Sequence, residues 1–271
     1  MSSNIRIHRI FVSLMALTST GAVLAAGPNG TLYAINYFEF GSTSGLDRIQ
    51  GGSVLSGSTG NPYDLGIAVA GDVRTIGFYN GYYGSRMDLN GNPLVGGPYT
   101  PAANTNTYYD GTSDGKYNYA VDFNLGQVFQ YDRDWLNPVA LFYVTTPYDV
   151  GITMNAADGS FWTSQYSTGV VEHFSHSGVF LDSFSTGMGA YVLSGLAYDP
   201  SDGTLWAGRF DNGHNLFQYD LSGNLLQVSS YTLDGYNFYG MEFNQGAVPE
   251  PASMATLAIG ALALVRRKAR K

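Results

Sequence analysis

Leu193-Ser-Gly-Leu-Ala-Tyr-Asp-Pro-Ser-Asp-Gly-Thr-Leu-Trp206, continued by Asn215-Leu-Phe-Gln-Tyr-Asp-Leu-Ser-Gly-Asn-Leu-Leu-Gln-Val228, holds four short apolar runs separated by turn residues. Runs of this length, rich in aromatic and branched residues and bounded by Gly, Asp, Asn and Pro, read as a four-stranded meander. Pieces of the unit recur elsewhere. Gly159-Ser-Phe-Trp162 answers Gly203-Thr-Leu-Trp206. Met87-Asp-Leu-Asn-Gly91, Phe174-Ser-His-Ser-Gly178 and Tyr219-Asp-Leu-Ser-Gly223 mark the turn between third and fourth strands. The corresponding Tyr131-Asp-Arg-Asp-Trp135 lacks the glycine, which predicts a less regular unit.

A glycine beside apolar residues recurs at Gly66, Gly111, Gly151, Gly195 and Gly240, with spacings of 45, 40, 44 and 45. Four strands in a period of the low forties is the signature of a β-propeller blade. The ends of the repeat are complementary. Gly240-Met-Glu-Phe-Asn-Gln-Gly246 reads as a first strand with nothing after it, and Gly30-Thr-Leu-Tyr-Ala-Ile35 as a second strand with nothing before it. Pairing them closes a ring and removes two sheet edges that would invite aggregation. The expected fold is all-β, a single propeller of five four-stranded blades, with Tyr33 in the same sheet as Met241. A sixth blade would have to fit between Gly96 and Tyr109, which is too short to hold one.

The composition agrees. The chain has 35 Gly, 21 Tyr and 13% charged residues among 271, suited to short strands, tight turns and aromatic packing. Cysteine is absent, so there is no disulfide framework and no thiol chemistry. Seven of the 13 basic residues lie in the end segments, leaving six basic against 20 acidic residues in the body, a net charge near −14. Such a surface repels phosphate backbones and argues against nucleic-acid binding.

Residues 1–26 carry the three parts of a secretory signal peptide. Arg6 and Arg9 precede the apolar run Ile10–Leu17, and Val23-Leu-Ala-Ala26 supplies small residues for cleavage after Ala25 or Ala26. At the other end, Val248-Pro-Glu-Pro-Ala-Ser253 precedes an apolar segment and the basic tail Arg266-Arg-Lys-Ala-Arg-Lys271. As a helix, 252–265 would be about 21 Å long, short of the roughly 30 Å hydrocarbon core, so a span there would be strained or temporary. The basic tail should remain cytoplasmic and leave the body outside.

This end resembles the PEP-CTERM sorting signal of Gram-negative bacteria, through Pro249, Glu250 and Pro251, the apolar segment, and the basic cluster led by Arg266 and Arg267. The resemblance implies an exosortase, a membrane protease-transpeptidase, as partner. It further implies transient inner-membrane anchoring, then release to the cell surface or an exopolysaccharide matrix. The domain plan is a signal peptide (1–26), a propeller (27–247) and a sorting signal (248–271).

No catalytic constellation emerges within the body. His173 and His176 would face opposite sides of a strand, poor geometry for one metal, and His214 reads as a loop residue without a partner. Aspartates such as Asp158, Asp202, Asp110 and Asp199 fall at turns, where Asx-turn chemistry accounts for them. There is neither a G-x-S-x-G elbow nor a phosphate-binding loop. Neither metal nor cofactor is expected. Tyrosines cluster around the inter-blade connections, where they either pack strand edges or offer flat faces for a ligand. Tyr79, Tyr82, Tyr83, Tyr108, Tyr109, Tyr236 and Tyr239 are the candidate ligand-face residues, with Tyr117, Tyr119 and Tyr231 nearby. The expected function is non-catalytic: a monomeric surface or matrix protein binding a glycan or another protein. The alternatives are a metal-dependent lactonase or lyase, and a structural matrix component without a small ligand.

Overall fold

A computed structural model of the chain describes residues 27–245, except 38, 40, 78–82, 96–106, 211–212 and 236. The expected signal peptide (1–26) and the sorting segment lie outside these residues.

The chain is built of consecutive antiparallel meanders. The first comprises β1 (Leu32–Asn36), β2 (Gly45–Gln50) and β3 (Ser53–Ser58), and the second β4 (Asp64–Val69), β5 (Val73–Gly77) and β6 (Arg86–Met87). The third runs β7 (Thr112–Ser113), β8 (Tyr117–Asp122), β9 (Gln127–Asp132) and β10 (Val139–Tyr143). The fourth runs β11 (Asp149–Asn155), β12 (Ser160–Gln165), β13 (Val170–Phe174) and β14 (Phe180–Ser185). The fifth runs β15 (Leu193–Asp199), β16 (Thr204–Arg209), β17 (His214–Tyr219) and β18 (Leu225–Tyr231), ahead of β19 (Phe238–Phe243). β19 joins β1 as the inner strand of the first blade, with Tyr33 opposite Glu242 and Ala34 opposite Met241. The ring therefore closes as the two sequence fragments require, with five blades. The second blade is the shortest, its fourth position marked by the bridge between Met87 and Pro93.

Inner strands are buried along their whole length, whereas the outermost strands β3, β10 and β14 are largely exposed. The core is divided among the seams between blades. Met241, Phe243 and Leu32 of the first blade pack on Ala197 and Trp206 of the fifth. Ile35 and Leu46 of the first meet Ile67 and Val73 of the second, and Ala68 and Ile76 of the second meet Tyr131 and Trp135 of the third. Val121 and Val128 of the third meet Ile152 and Phe161 of the fourth. Val150 and Trp162 of the fourth meet Leu196 and Leu205 of the fifth. Apolar alternation thus points each sheet's two faces at its two neighbours, so no blade can bury its faces alone.

The periodic glycines sit on the inner strands where these converge. A Cβ on Gly195 would lie 1.9 Å from the Tyr239 carbonyl oxygen, and one on Gly240 2.3 Å from that of Leu65. Backbone approach at the axis, not turn geometry, fixes this period.

The turn between third and fourth strands is a repeated Asx motif. Asp88 accepts from the Asn90 and Asn92 amides, Asp132 from those of Asp134 and Leu136, and Asp220 from those of Ser222 and Asn224. Gly91, Gly178 and Gly223 supply positive φ there (79, 80 and 84°), and in the irregular third unit Trp135 does so at 57°. A left-handed tryptophan is strained by about 1–2 kcal/mol, and full burial against Tyr131 holds it. Trp135→Ala should lower stability by about 3–5 kcal/mol. Trp135→Gly leaves the same cavity without the strain and should be about 1 kcal/mol less damaging. Urea midpoints of the two variants check this. Identical midpoints would mean that the backbone carries no strain.

Candidate aromatic site at the mouth of the ring

Every second strand is followed at once by an aromatic residue: Tyr37, Phe78, Phe123, Tyr166 and Phe210, spaced by 41, 45, 43 and 44. Phe78 lies outside the described residues. The other four are tied down by the same bond, in which the aromatic residue's own amide donates to a carbonyl of the loop entering an inner strand. Tyr37 donates to Asn237 (3.2 Å), Phe123 to Thr107 (3.0 Å), Tyr166 to Tyr148 (2.9 Å) and Phe210 to Val192 (2.7 Å). These bonds place the rings at the end of the axis where inner strands begin.

Tyr109, two residues ahead of Gly111, and Tyr239, directly ahead of Gly240, join them there. Together Tyr109, Phe123, Val150, Tyr166, Phe210, Asn237 and Tyr239 line an open cup of about 300 Å³. Ring centroids run from Tyr109 to Phe123 (5.1 Å), Tyr166 (6.1 Å), Phe210 (5.7 Å) and back to Tyr109 (6.5 Å). Successive planes are inclined by 62–84°. Tyr239 lies 4.8 Å from Phe210, backed by Tyr37 at 5.4 Å. Edge-to-face contacts of this kind suit the ring quadrupole. Burial pushes the Tyr239 hydroxyl up to about 12, so it stays neutral. At the rim, exposed Tyr148 and Tyr191 take positive φ (80 and 64°) and set their rings against Phe123 and Tyr166.

Beside Tyr109, Asp110 is fully buried at the axis. One carboxylate oxygen accepts from the amides of Gly111 (2.8 Å) and Met241 (2.9 Å), the other from those of Leu196 (2.9 Å) and Ile152 (3.2 Å). A single side chain thus joins four blades, and from the remaining one Gly66 comes so close that a Cβ there would lie 3.2 Å from the Asp110 carbonyl oxygen. Burial pushes this carboxyl well above the usual range, Glu242 adds to the rise, and the amides oppose it. The Asx-turn expectation for Asp110 was therefore wrong, although it holds for Asp158, Asp202 and Asp199, which accept from the Ser160, Thr204 and Ser201 amides. With both oxygens engaged by backbone, Asp110 has none turned to the cup.

The candidate tyrosines separate. Tyr109 and Tyr239 belong to the cup. Tyr108 does not: it is 2% exposed, with its hydroxyl bonded to that of Tyr131. Tyr119 is likewise core, and Tyr231 bonds the Gly51 carbonyl between blades (3.0 Å). Tyr117 carries Lys116 over its ring. Tyr83 is half exposed beside Asn61 and Leu94 on the second blade, away from the cup. Tyr79, Tyr82 and Tyr236 lie outside the described residues, as do Ala25, Ala26, Pro249, Glu250, Pro251, Arg266 and Arg267.

The histidines do not converge. His173 stacks on Trp162 (4.3 Å) and His176 on Phe161 (5.9 Å). His214 departs from expectation: it opens β17, is 6% exposed and bonds the Asn36 side chain at 3.2 Å, because the fifth blade's third strand starts earlier than its polarity implies. Among the described residues no three His, Cys, Asp or Glu side chains gather as a metal set. No helix among them is long and apolar enough to cross a membrane. Two further buried acids, Asp64 and Asp149, pushed by burial to about 7 and 8, occupy equivalent places in separate blades.

In fold, the chain is similar to one in the crystal structure of a nidogen/laminin complex, with a TM-score of 0.52 and 11% identity over 79% of this chain and 97% of that one. It is also similar to the WD40 β-propeller domain of Doa1 (TM-score 0.44, 11% identity, 76% of this chain and 68% of that one). None of the curated proteins matches it in sequence. Residues 247–271 match the family model described as the PEP-CTERM protein-sorting motif, one residue earlier than the boundary expected at 248. The chain thus carries a five-bladed β-propeller ahead of a PEP-CTERM sorting motif, the mark of an exported protein sorted by an exosortase.

Proposed function

We propose that this is a non-catalytic recognition protein of the cell surface or extracellular matrix, whose axial cup holds one group of a glycan or of a partner protein. The observation that carries the reading is the convergence of Tyr109, Phe123, Tyr166, Phe210 and Tyr239 from four blades onto one open cup. Partly exposed rings held by backbone bonds are preorganised, so a ligand is met without the cost of ordering them. Asp110, the buried carboxylate next to Tyr109 in the chain, is committed to backbone amides, which supports binding over hydrolysis at that residue. The sorting motif accounts for delivery, with transient anchoring by the C-terminal segment and exosortase release.

Purified residues 27–247 should bind a discrete set of targets on glycan and surface-protein arrays. Tyr166→Ala and Phe210→Ala should each weaken that binding about tenfold, the worth of one aromatic contact. Unchanged binding in both variants would remove the cup from recognition. Absence of any target would favour a structural matrix component, and turnover of a lactone or ester would favour the enzyme.

A further inference from the structure

We infer that the group held in the cup is a methylated ammonium, a cation of the trimethylamine type. This rests on the reading that the cup is the recognition site, and adds the charge class of its ligand.

The inference comes from what the walls are and what they lack. Tyr109, Phe123, Tyr166 and Phe210 form a closed circuit of four rings, 5.1–6.5 Å between consecutive centroids, with neighbouring planes inclined by 62–84°. These are the proportions of a box. The centre of such a square lies roughly 4 Å from each ring, within the ~6 Å over which a cation is attracted to a π face. The space of about 300 Å³ is at the small end of ligand pockets and matches a compact headgroup more closely than an oligosaccharide.

Polarity points the same way. Among the described residues, Asn237 contributes the one polar side chain besides the tyrosines, and no Lys or Arg lines the cup. A sugar ring pushed inside would leave several hydroxyls without partners, each at a desolvation cost. A primary ammonium would also need acceptors, whereas a methylated one is weakly hydrated and is held by ring faces alone. The surrounding body carries a net charge near −14, which concentrates cations around the site. An anion would be repelled twice, by the field and by the ring faces.

The test uses the soluble body, residues 27–247, whose ring closes between β19 and β1 within those limits. Isothermal titration should compare choline and tetramethylammonium with 3,3-dimethylbutan-1-ol, the neutral carbon counterpart of choline. The cations should bind, and choline should bind about tenfold more tightly than the neutral analogue. Phe210→Leu keeps apolar volume but loses the π face. It should retain a urea midpoint close to that of the wild type and lose the preference for the cation. Equal affinity for choline and the neutral analogue would overturn the cation assignment while leaving the cup as a binding site. So would an array ligand that depends on Tyr166 yet is not displaced by choline. No binding of either cation at millimolar concentration would overturn it as well, and the array experiment on the Tyr166 and Phe210 variants would then judge the cup independently.

Discussion

Asp110→Ala is expected to cost the propeller about 4 kcal/mol or more, a large share of its stability. The substitution removes no apolar packing. It strands the amides of Ile152, Leu196 and Met241 in a dry axis, each of which now donates to the carboxylate from a different blade. A buried donor left without a partner costs about 1–3 kcal/mol, and a domain of this kind holds roughly 5–15 kcal/mol in total. A Cβ on Gly240 or Gly66 would come within 3.1–3.2 Å of this residue, so glycine at both positions lets the inner strands crowd around it. Asp110→Asn is the finer probe. Its carbonyl oxygen can still serve two amides, but its NH2 group meets the other two donor to donor, so it should fall between wild type and alanine. Urea unfolding followed by tryptophan fluorescence reads both. If both variants lie within about 1 kcal/mol of wild type, Asp110 is not what joins the inner strands.

Replacing Pro249 and Pro251 together with alanine is expected to abolish C-terminal processing while leaving export intact. The signal peptide is untouched and the apolar segment 254–265 keeps its hydropathy, so the body should still reach the far side of the membrane. The motif recognised at residues 247–271 loses its two conformationally fixed residues. The short apolar segment would then remain as an anchor, and immunoblots of membrane and released fractions should show a slower-migrating, membrane-bound form. Release at the wild-type rate would show that Pro249 and Pro251 are dispensable for sorting. A companion change of Arg266 and Arg267 to alanine should impair retention of the tail on the cytoplasmic side rather than motif recognition, which separates the two parts of the signal.

Much of the fold was legible because its determinants are local. Four apolar runs per period, Asx turns with a glycine at positive φ, and two incomplete ends are properties of neighbouring residues, and each reappears in the ring. Trp135 shows how such a rule bends: its turn lacks glycine, and the turn forms anyway because the indole is fully buried. The aromatic series Tyr37, Phe78, Phe123, Tyr166 and Phe210 was also present as a period. It is hidden because two residue types alternate and because 15 Phe and 21 Tyr in the chain offer many false partners.

The sequence by itself determined the repeat, the blade count, the closure of Tyr33 onto the Met241 strand, and the address carried by the C-terminal motif. Only the tertiary structure decided which tyrosines face a ligand. Tyr108 and Tyr109 are adjacent in the chain, yet the first is sealed between the second and third blades and the second opens onto the cup. The role of Asp110 was likewise beyond any local reading, since its partners Ile152, Leu196 and Met241 stand 42, 86 and 131 residues away. In a ring of blades the local pattern fixes each sheet, but the axis and its mouth are made of contributions from several blades. What sits there depends on closure, which no single repeat encodes.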